Sequence, residues 1–280
     1  MKLMLSLPFK TQIKMMRKGD STPSYVGAIS KARDLITKLQ IREPSEIIVE
    51  SIAAYLGAPI RFAYLDSCDG RMVRIGDSAL ITVSQSIDSV GQQRFVIAHE
   101  LGHVLLHPHI RQLDEVDASQ TRNFNHNQSP EELEANYFAA ELLMPKCFME
   151  PDVRGKEPSW DLIRELAKRY RTTLTSTAIQ FVHYTKEPVF FVTTVNGDRK
   201  WFTPSDAARD FWLTETTRVH FYTCAHELKK EGKRNSRGNV PAGAWLKGFD
   251  LNGKETITED ATTPSNGDFT MSLLWINEEI

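Results

Sequence analysis

Apolar residues recur at helical spacing in the first part of the chain and then alternate with polar ones. The helical pattern predicts helices over residues 25–39 and 46–56. The alternation that follows predicts short strands over 60–64, 71–75 and 79–83. This region is therefore expected to combine helices with a small β-sheet.

Three further helical segments follow in the middle of the chain. The pattern predicts a helix over 91–107, which Pro108 ends. Residues 109–129 are polar and irregular and are expected to form a loop. Ser129 and Pro130 then begin a helix that runs to about Leu143. Residues 159–184 form two apolar stripes with a break at 171–173, which predicts a helical pair.

The last part of the chain reads as β-rich. Residues 189–195 and 198–202 are strand-like and flank Asn196-Gly197, the residue pair that favours a two-residue hairpin turn. Additional strands are predicted over 219–223, 244–249 and 269–276.

Composition limits the function classes. The chain has 280 residues, of which 41% are hydrophobic and 25% charged, as in soluble globular proteins. A net charge of -2 gives no overall attraction to nucleic acid or to a membrane. The length allows one large domain or two ordinary ones.

The cysteines and the first residues indicate the compartment. Cys68, Cys147 and Cys224 are far apart and form no C-x-x-C motif, which fits a reducing cytoplasm. Pro8 and Lys10 interrupt the apolar start, which argues against a signal peptide. No apolar stretch reaches the length of a membrane span. We therefore expect a cytoplasmic protein without membrane association.

The stretch from His99 to His103 spells H-E-x-x-H on a predicted helix. His99 and His103 are four residues apart and share one face, so both imidazoles can bind one zinc ion. Glu100 is offset from them and can reach a water at the metal, as the general base of a metallopeptidase does. The alternative is a core helix whose histidines are only hydrogen-bonded.

A catalytic zinc has three protein ligands, so one more is needed. His109 has the spacing of a third histidine in metzincins, but Leu106 stands where that pattern needs a glycine to turn the chain. His107 continues the same helix face one turn further and lies too far along the axis to share the ion.

The downstream helix offers a carboxylate instead. Glu132 is the preferred third ligand, with the adjacent Glu131 as a second choice. Asn136 shares a face with Glu132 and is expected to hydrogen-bond a ligand imidazole from behind. Glu134 points to the opposite side, and a charged first helical turn also explains Glu131 and Glu134.

These segments resemble the ImmA/IrrE family of metallopeptidases. The resemblance rests on AHELGHVLLH at 98–107 and ELEANYFAAELLMP at 132–145. It covers residues 25–150 well and extends more weakly over 159–184, where that family has a helix-turn-helix-like segment. The C-terminal part resembles the GAF-like sensory domain of IrrE-type members by position and β content. We expect no N-terminal repressor-like DNA-binding module, which some members fuse to the peptidase.

The resemblance implies an α+β fold with a zincin-like, gluzincin-type peptidase domain, a helical linker segment and a β-rich, GAF-like C-terminal domain. The expected division is a leader over 1–22, the zinc metallopeptidase domain over 23–155, the helical segment over 156–185 and the possible sensory domain over 186–280.

The resemblance also implies a function. The chain would cut a helix-turn-helix repressor of the XRE type once, and so derepress stress, mobile-element or defence genes. Zinc is the expected cofactor, with manganese an alternative in vitro. A nucleic acid or small molecule would act as activator at the C-terminal domain. The oxyanion stabiliser stays open among four residues, namely His107, His109, His126 and Tyr137.

Other features of the sequence permit further hypotheses. The strand over 79–83 either pairs with an extended substrate or is an ordinary sheet edge. Cys147 is either a redox latch near the metal or a small buried residue. Four tryptophans either line a ligand pocket or belong to the core, namely Trp201, Trp212, Trp245 and Trp275.

A rival hypothesis makes the chain a DNA-binding regulator with a structural metal and no protease activity. Its basis is the set of basic residues on the helical pair, namely Arg164, Lys168, Arg169 and Arg171. A solvated helix face explains the same charges, and structural zinc sites usually contain cysteine, which is absent near the motif.

Overall fold

The structure is a computed structural model that describes residues 25–66, 68–76, 78–110, 112–114, 129–264 and 269–277. The expected leader over 1–22, His126 and most of the 109–129 loop lie outside the described residues.

The helices of the described residues are α1 (Tyr25–Lys38), α2 (Val49–Tyr55), α3 (Val90–Leu106), α4 (Pro130–Leu143), α5 (Lys146–Val153), α6 (Trp160–Tyr170), α7 (Leu174–Tyr184) and α8 (Cys224–Glu231). The strands are β1 (Ile60–Ala63), β2 (Gly70–Ile75), β3 (Ser78–Ser84), β4 (Gln112–Asp114), β5 (Val189–Val195), β6 (Asp198–Pro204), β7 (Asn235–Pro241), β8 (Thr256–Thr262) and β9 (Phe269–Trp275). The predicted α+β fold is confirmed.

A four-stranded sheet with the order β1-β3-β2-β4 packs beside the H-E-x-x-H helix α3. β1 runs parallel to β3, whereas β2 is antiparallel to both β3 and β4. β3 is therefore an interior strand, paired on both sides. The hypothesis that residues 79–83 take up an extended substrate at a sheet edge is wrong, because no free edge exists there.

Helices α3 and α4 cross closely, and the crossing depends on two small residues. A Cβ atom on Gly102 would lie 3.0 Å from the Cα atom of Ala135. Each helix begins with a hydroxyl cap, since Ser89 accepts from the amide of Gln92 and Ser129 from that of Glu132. The crossing brings the first turns of α4 alongside the middle of α3.

The helical pair connects this region to the second sheet. Arg171 takes a left-handed conformation (φ 54°) that separates α6 from α7, where the sequence predicts the break. The backbone and indole N–H groups of Trp160 both donate to Asp260 of β8, each at 2.8 Å. One hydrophobic core extends from α1 through α6 and α7 to Phe191 of β5.

The C-terminal sheet is antiparallel with the order β6-β5-β9-β8-β7. Asn196 and Gly197 form the β5–β6 turn with positive φ, as the hairpin pattern predicts. Glu259 is fully buried in β8, where its carboxylate accepts from the amides of Cys224 and Ala225 and so caps α8. The β-rich character of this part is confirmed, while its GAF-like identity and the domain boundaries stay predictions.

The C-terminal prediction was wrong in detail. Residues 219–223 and 244–249 are turns and irregular segments, apart from a 3-10 turn that ends at Ala244. The strands found instead are β7 and β8, whose polar residues conceal the alternation. β8 also contains two buried carboxylates, Glu259 and Asp260, which are hydrogen-bonded. α5 and α8 were not predicted. No helix of the described residues is long and apolar enough to cross a membrane.

We expect Gly102→Val to weaken both folding and metal binding. The added side chain meets the α4 backbone at Ala135, so the helices must separate and Glu132 moves away from α3. Unfolding by denaturant should show a loss of about 1–3 kcal/mol, and zinc affinity should fall. Gly238→Ala is the control, because its Cβ would have only Cys224 Sγ, at 3.9 Å, within contact distance. Unchanged zinc affinity in Gly102→Val would contradict the role of the crossing.

Candidate metal centre

The H-E-x-x-H residues lie in the buried middle of α3. His99 and His103 follow each other by one helical turn and are 0% and 1% exposed. Their Nε2 atoms are 2.9 Å apart. The helix therefore presents two imidazole nitrogens to one point.

Glu132 completes this point from the first turn of α4. Its Oε2 lies 3.1 Å from His99 Nε2, and its Oε1 lies 3.3 Å from His103 Nε2. The three side chains form the one potential metal-binding group of His, Cys, Asp and Glu found among the described residues. Ligand atoms of a tetrahedral zinc site with bonds near 2.0–2.1 Å are about 3.3 Å apart, so the spacing suits such an ion.

The hydrogen bond behind His99 orients its ring. Its Nδ1 lies 2.9 Å from Oδ1 of Asn136, which can only accept, so Nδ1 carries the hydrogen. This leaves Nε2 as the atom that faces the centre. Asn136 lies one turn after Glu132 on α4, so one helix face both supplies a ligand and orients another.

His103 is oriented by a two-residue chain. Its Nδ1 lies 3.0 Å from Nδ1 of His107, and Nε2 of His107 lies 3.0 Å from Oε2 of Glu134. The Glu134 carboxylate accepts from His107 Nε2–H, so Nδ1 of His107 is free to accept from His103 Nδ1–H. The chain therefore directs the Nε2 lone pair of His103 to the centre.

Electrostatics favour the unprotonated forms of His103 and Glu132 but the protonated form of His99. Burial lowers the pKa of His103 to about 4. Burial raises the pKa of Glu132, but the imidazoles of His103 and His99 beside it lower the pKa by more and bring it below its usual range. Burial lowers the pKa of His99, and Glu132 raises it by more, so a proton competes with a cation at His99. Metal affinity should therefore fall as the pH falls.

Glu100 lies beside this centre without being part of it. Its side chain is 2% exposed, and its Oε2 has no hydrogen-bond partner among the described residues. The pKa of Glu100 is raised to about 7, mainly by burial. The charge of His99 lowers this pKa, and the charge of Glu132 raises it. Gly70 of β2 leaves room for this carboxylate, since a Cβ there would lie 2.8 Å from Glu100 Oε1. An unpartnered carboxylate with a pKa near neutrality is suited to proton transfer.

A family model described as the IrrE N-terminal-like domain matches residues 53–181, which include the whole centre. This region is a domain of the ImmA/IrrE family.

The chain is also similar to a solved structure. A Mycobacterium tuberculosis transcriptional regulator has the same fold, with a TM-score of 0.58, 16% identity and coverage of 89% of this chain and 76% of that one. No curated protein matches the chain.

The structure brings together the predicted site residues of the IrrE-like domain. His99, His103 and Glu132 converge, Glu100 lies next to them, and Asn136 bonds His99. Their catalytic and ligand roles stay predictions. Glu131 remains in the first turn of α4, where backbone amides and the Ser129 hydroxyl lower its pKa.

Three candidates for an oxyanion stabiliser, His107, His109 and Tyr137, are among the described residues, whereas His126 is not. His107 is engaged with His103 and Glu134, and His109 is exposed. The ring of Tyr137 lies 4.3 Å from that of Tyr25 on α1.

Sequence reasoning placed Glu134 on the side away from the centre and considered His107 only as a ligand or an oxyanion stabiliser. Both support His103 instead. The signal was present in the four-residue spacing from His103 to His107, which repeats the spacing within the motif.

Cys147 corrects a further prediction, because it is neither buried nor part of the centre. It is exposed at the start of α5 and lines a shallow cavity with Arg33, Lys146 and Glu150. Of the four tryptophans, Trp245 is a buried core residue and donates to Glu259. Trp201, Trp212 and Trp275 are half-buried, with Trp201 packed on Phe191 and Trp275 donating to Glu187.

We expect His107→Ala to weaken zinc binding about 10–100-fold, because His103 loses the partner that fixes its tautomer and ring. Competition with a chromophoric chelator measures the affinity. His109→Ala is the matched control, since His109 is exposed two residues further on. Equal affinities of the two variants would refute the supporting role of His107.

Proposed function

We propose that this chain is a zinc-dependent endopeptidase that makes a limited cut in a helix-turn-helix repressor of the XRE type. The observation that carries the peptidase activity is the buried, unpartnered carboxylate of Glu100 beside three convergent ligand atoms. The family of residues 53–181 supports the same activity.

The donor set favours zinc. Two imidazoles and one carboxylate leave a fourth position for water or substrate, which is the arrangement of catalytic zinc sites. Zinc bound by His99, His103 and Glu132 would supply Lewis-acid chemistry, which polarises a peptide carbonyl and acidifies a water. Manganese is proposed as an alternative in vitro.

Glu100 is proposed to move the proton. Its carboxylate accepts one proton from the attacking water as the new C–O bond forms at the peptide carbonyl. It then donates that proton to the amide nitrogen as the C–N bond breaks, so the products are an amine and a carboxylic acid, which loses its own proton to the solvent. The pKa of about 7 suits both steps, because the group can be either base or acid near neutral pH.

The repressor substrate is proposed from the resemblance to ImmA/IrrE peptidases, which act by limited proteolysis on such regulators. Derepression of stress, mobile-element or defence genes would follow. The reaction is placed in the cytoplasm, where a reducing environment suits the three free cysteines. The β-rich C-terminal part is proposed to bind the activating nucleic acid or small molecule.

The alternative, a DNA-binding regulator with a structural metal, is less well supported. Arg164 is bonded to Asp161 and Asn235, and Arg169 is paired with Asp152, so these charges are engaged within the chain. The face of α7 that packs on the core is buried and so cannot contact DNA. The metal-binding group found among the described residues contains no cysteine, which structural zinc sites usually have.

We expect Glu100→Gln to keep the metal and abolish cleavage, because the amide keeps the size of the carboxylate but cannot accept the proton. The full chain with zinc is incubated with the helix-turn-helix repressor encoded beside it, and the products are resolved by mass spectrometry. A single cut by the wild type alone supports the proposal. Cleavage by zinc-loaded Glu100→Gln at the wild-type rate would show that Glu100 is not the base.

We expect Glu132→Ala to lose zinc at concentrations that saturate the wild type, because only the two imidazoles remain. Metal content after dialysis is the measurement, and Glu131→Ala is the control in the same helical turn. Full zinc occupancy in Glu132→Ala would reject Glu132 as the third ligand.

A further inference from the structure

Arg94 is a buried cation on α3 that the metal centre does not use. It lies five residues before His99 and is 3% exposed. Its Nε is enclosed without a hydrogen-bond partner, and Arg94 has no ion pair within 4.0 Å among the described residues. A buried guanidinium N–H without an acceptor is costly, so its retention calls for an explanation.

The side chain faces the turn between α6 and α7. Gly91, one turn earlier on α3, touches this turn so closely that a Cβ would lie 2.7 Å from the carbonyl carbon of Thr172. Long side chains of a helix lean toward its N-terminus and cover the preceding turn. Arg94 comes three residues after Gly91 and shares its face of α3, so this face carries the arginine toward the contact between Gly91 and Thr172.

Two further positive groups face the same contact. Arg171 immediately precedes Thr172 and is exposed, so the contact opens to solvent on its side. The 11-residue helix α7 begins after Thr173 and directs the positive end of its dipole here. Burial and the charge of Arg171 lower the pKa of Arg94, which agrees with two guanidinium groups close together.

One carboxylate partly offsets these charges. Glu50, in the first turn of α2, raises the pKa of Arg94 without forming an ion pair with it within 4.0 Å. Among the described residues no ion pair neutralises Arg94 or Arg171 directly, and the α7 terminus adds the positive end of its dipole. An oxyanion would balance these positive charges and give the Arg94 guanidinium acceptors.

We propose that Arg94, Arg171 and the N-terminus of α7 form a binding site for an oxyanion, namely a phosphate or carboxylate group. The site is separate from the metal centre but lies on the same helix. Its ligand would connect α3 to the helical pair, so binding there should stabilise the contact of the two parts.

Thermal unfolding of the metal-free full chain tests the proposal independently of the peptidase function. Inorganic phosphate is titrated against chloride at equal ionic strength, with acetate in a parallel series. Phosphate or acetate should raise the melting temperature beyond chloride, as a ligand of the folded state does. The more effective anion identifies the source, a phosphate group or a carboxylate. No rise beyond chloride with either anion would overturn the proposal.

Variants assign the effect to the site. In Arg171→Met, the anion concentration that gives half of the rise in melting temperature should increase about tenfold or more. This increase corresponds to the loss of one charge-assisted hydrogen bond. Arg94→Met should lose the rise in melting temperature with the anion, provided that the variant folds. If it does not fold, the result with Arg171→Met alone decides whether the site exists. Arg209→Met is the control, because Arg209 is exposed and paired with Asp206. The same anion response in Arg171→Met and in the control would overturn the site.

Discussion

The close crossing of α3 and α4 is the constraint on which the metal centre depends. His99 and His103 are on one helix and Glu132 is on the other, so their convergence requires the two backbones to approach at Gly102 and Ala135. A larger residue at either position would hold the helices apart. The glycine within the H-E-x-x-H motif therefore serves packing, whereas the histidines and the glutamate serve chemistry.

Hydrogen bonds from behind convert this proximity into defined ligand orientations. Asn136 holds His99, and the pair His107 and Glu134 holds His103. Both supports come from the same two helices that carry the ligands, so the crossing positions the ligands and their partners together. Glu100, in contrast, lies against Gly70, and its Oε2 atom has no hydrogen-bond partner among the described residues. A carboxylate oxygen without a partner is available to accept a proton.

The helical pair α6–α7 lies between this centre and the C-terminal sheet. Trp160 attaches it to Asp260 of β8, and the turn at Thr172 meets the first turn of α3. A continuous set of contacts therefore leads from the C-terminal sheet to the helix that carries the histidines. Arg94 lies on that route, where a bound anion would tighten the contact.

The sequence by itself determined the H-E-x-x-H helix, the capped helix with Glu132 and the β5–β6 hairpin, because local spacing, capping and turn residues encode them. Only the tertiary structure decided that β3 is an interior strand and that His107 and Glu134 support His103, because these depend on which elements meet. It likewise decided that β7 and β8 are strands. The carboxylates of β8, Glu259 and Asp260, look exposed in the sequence but are buried, and only the folded chain supplies the amides, the indole and the guanidinium that bind them.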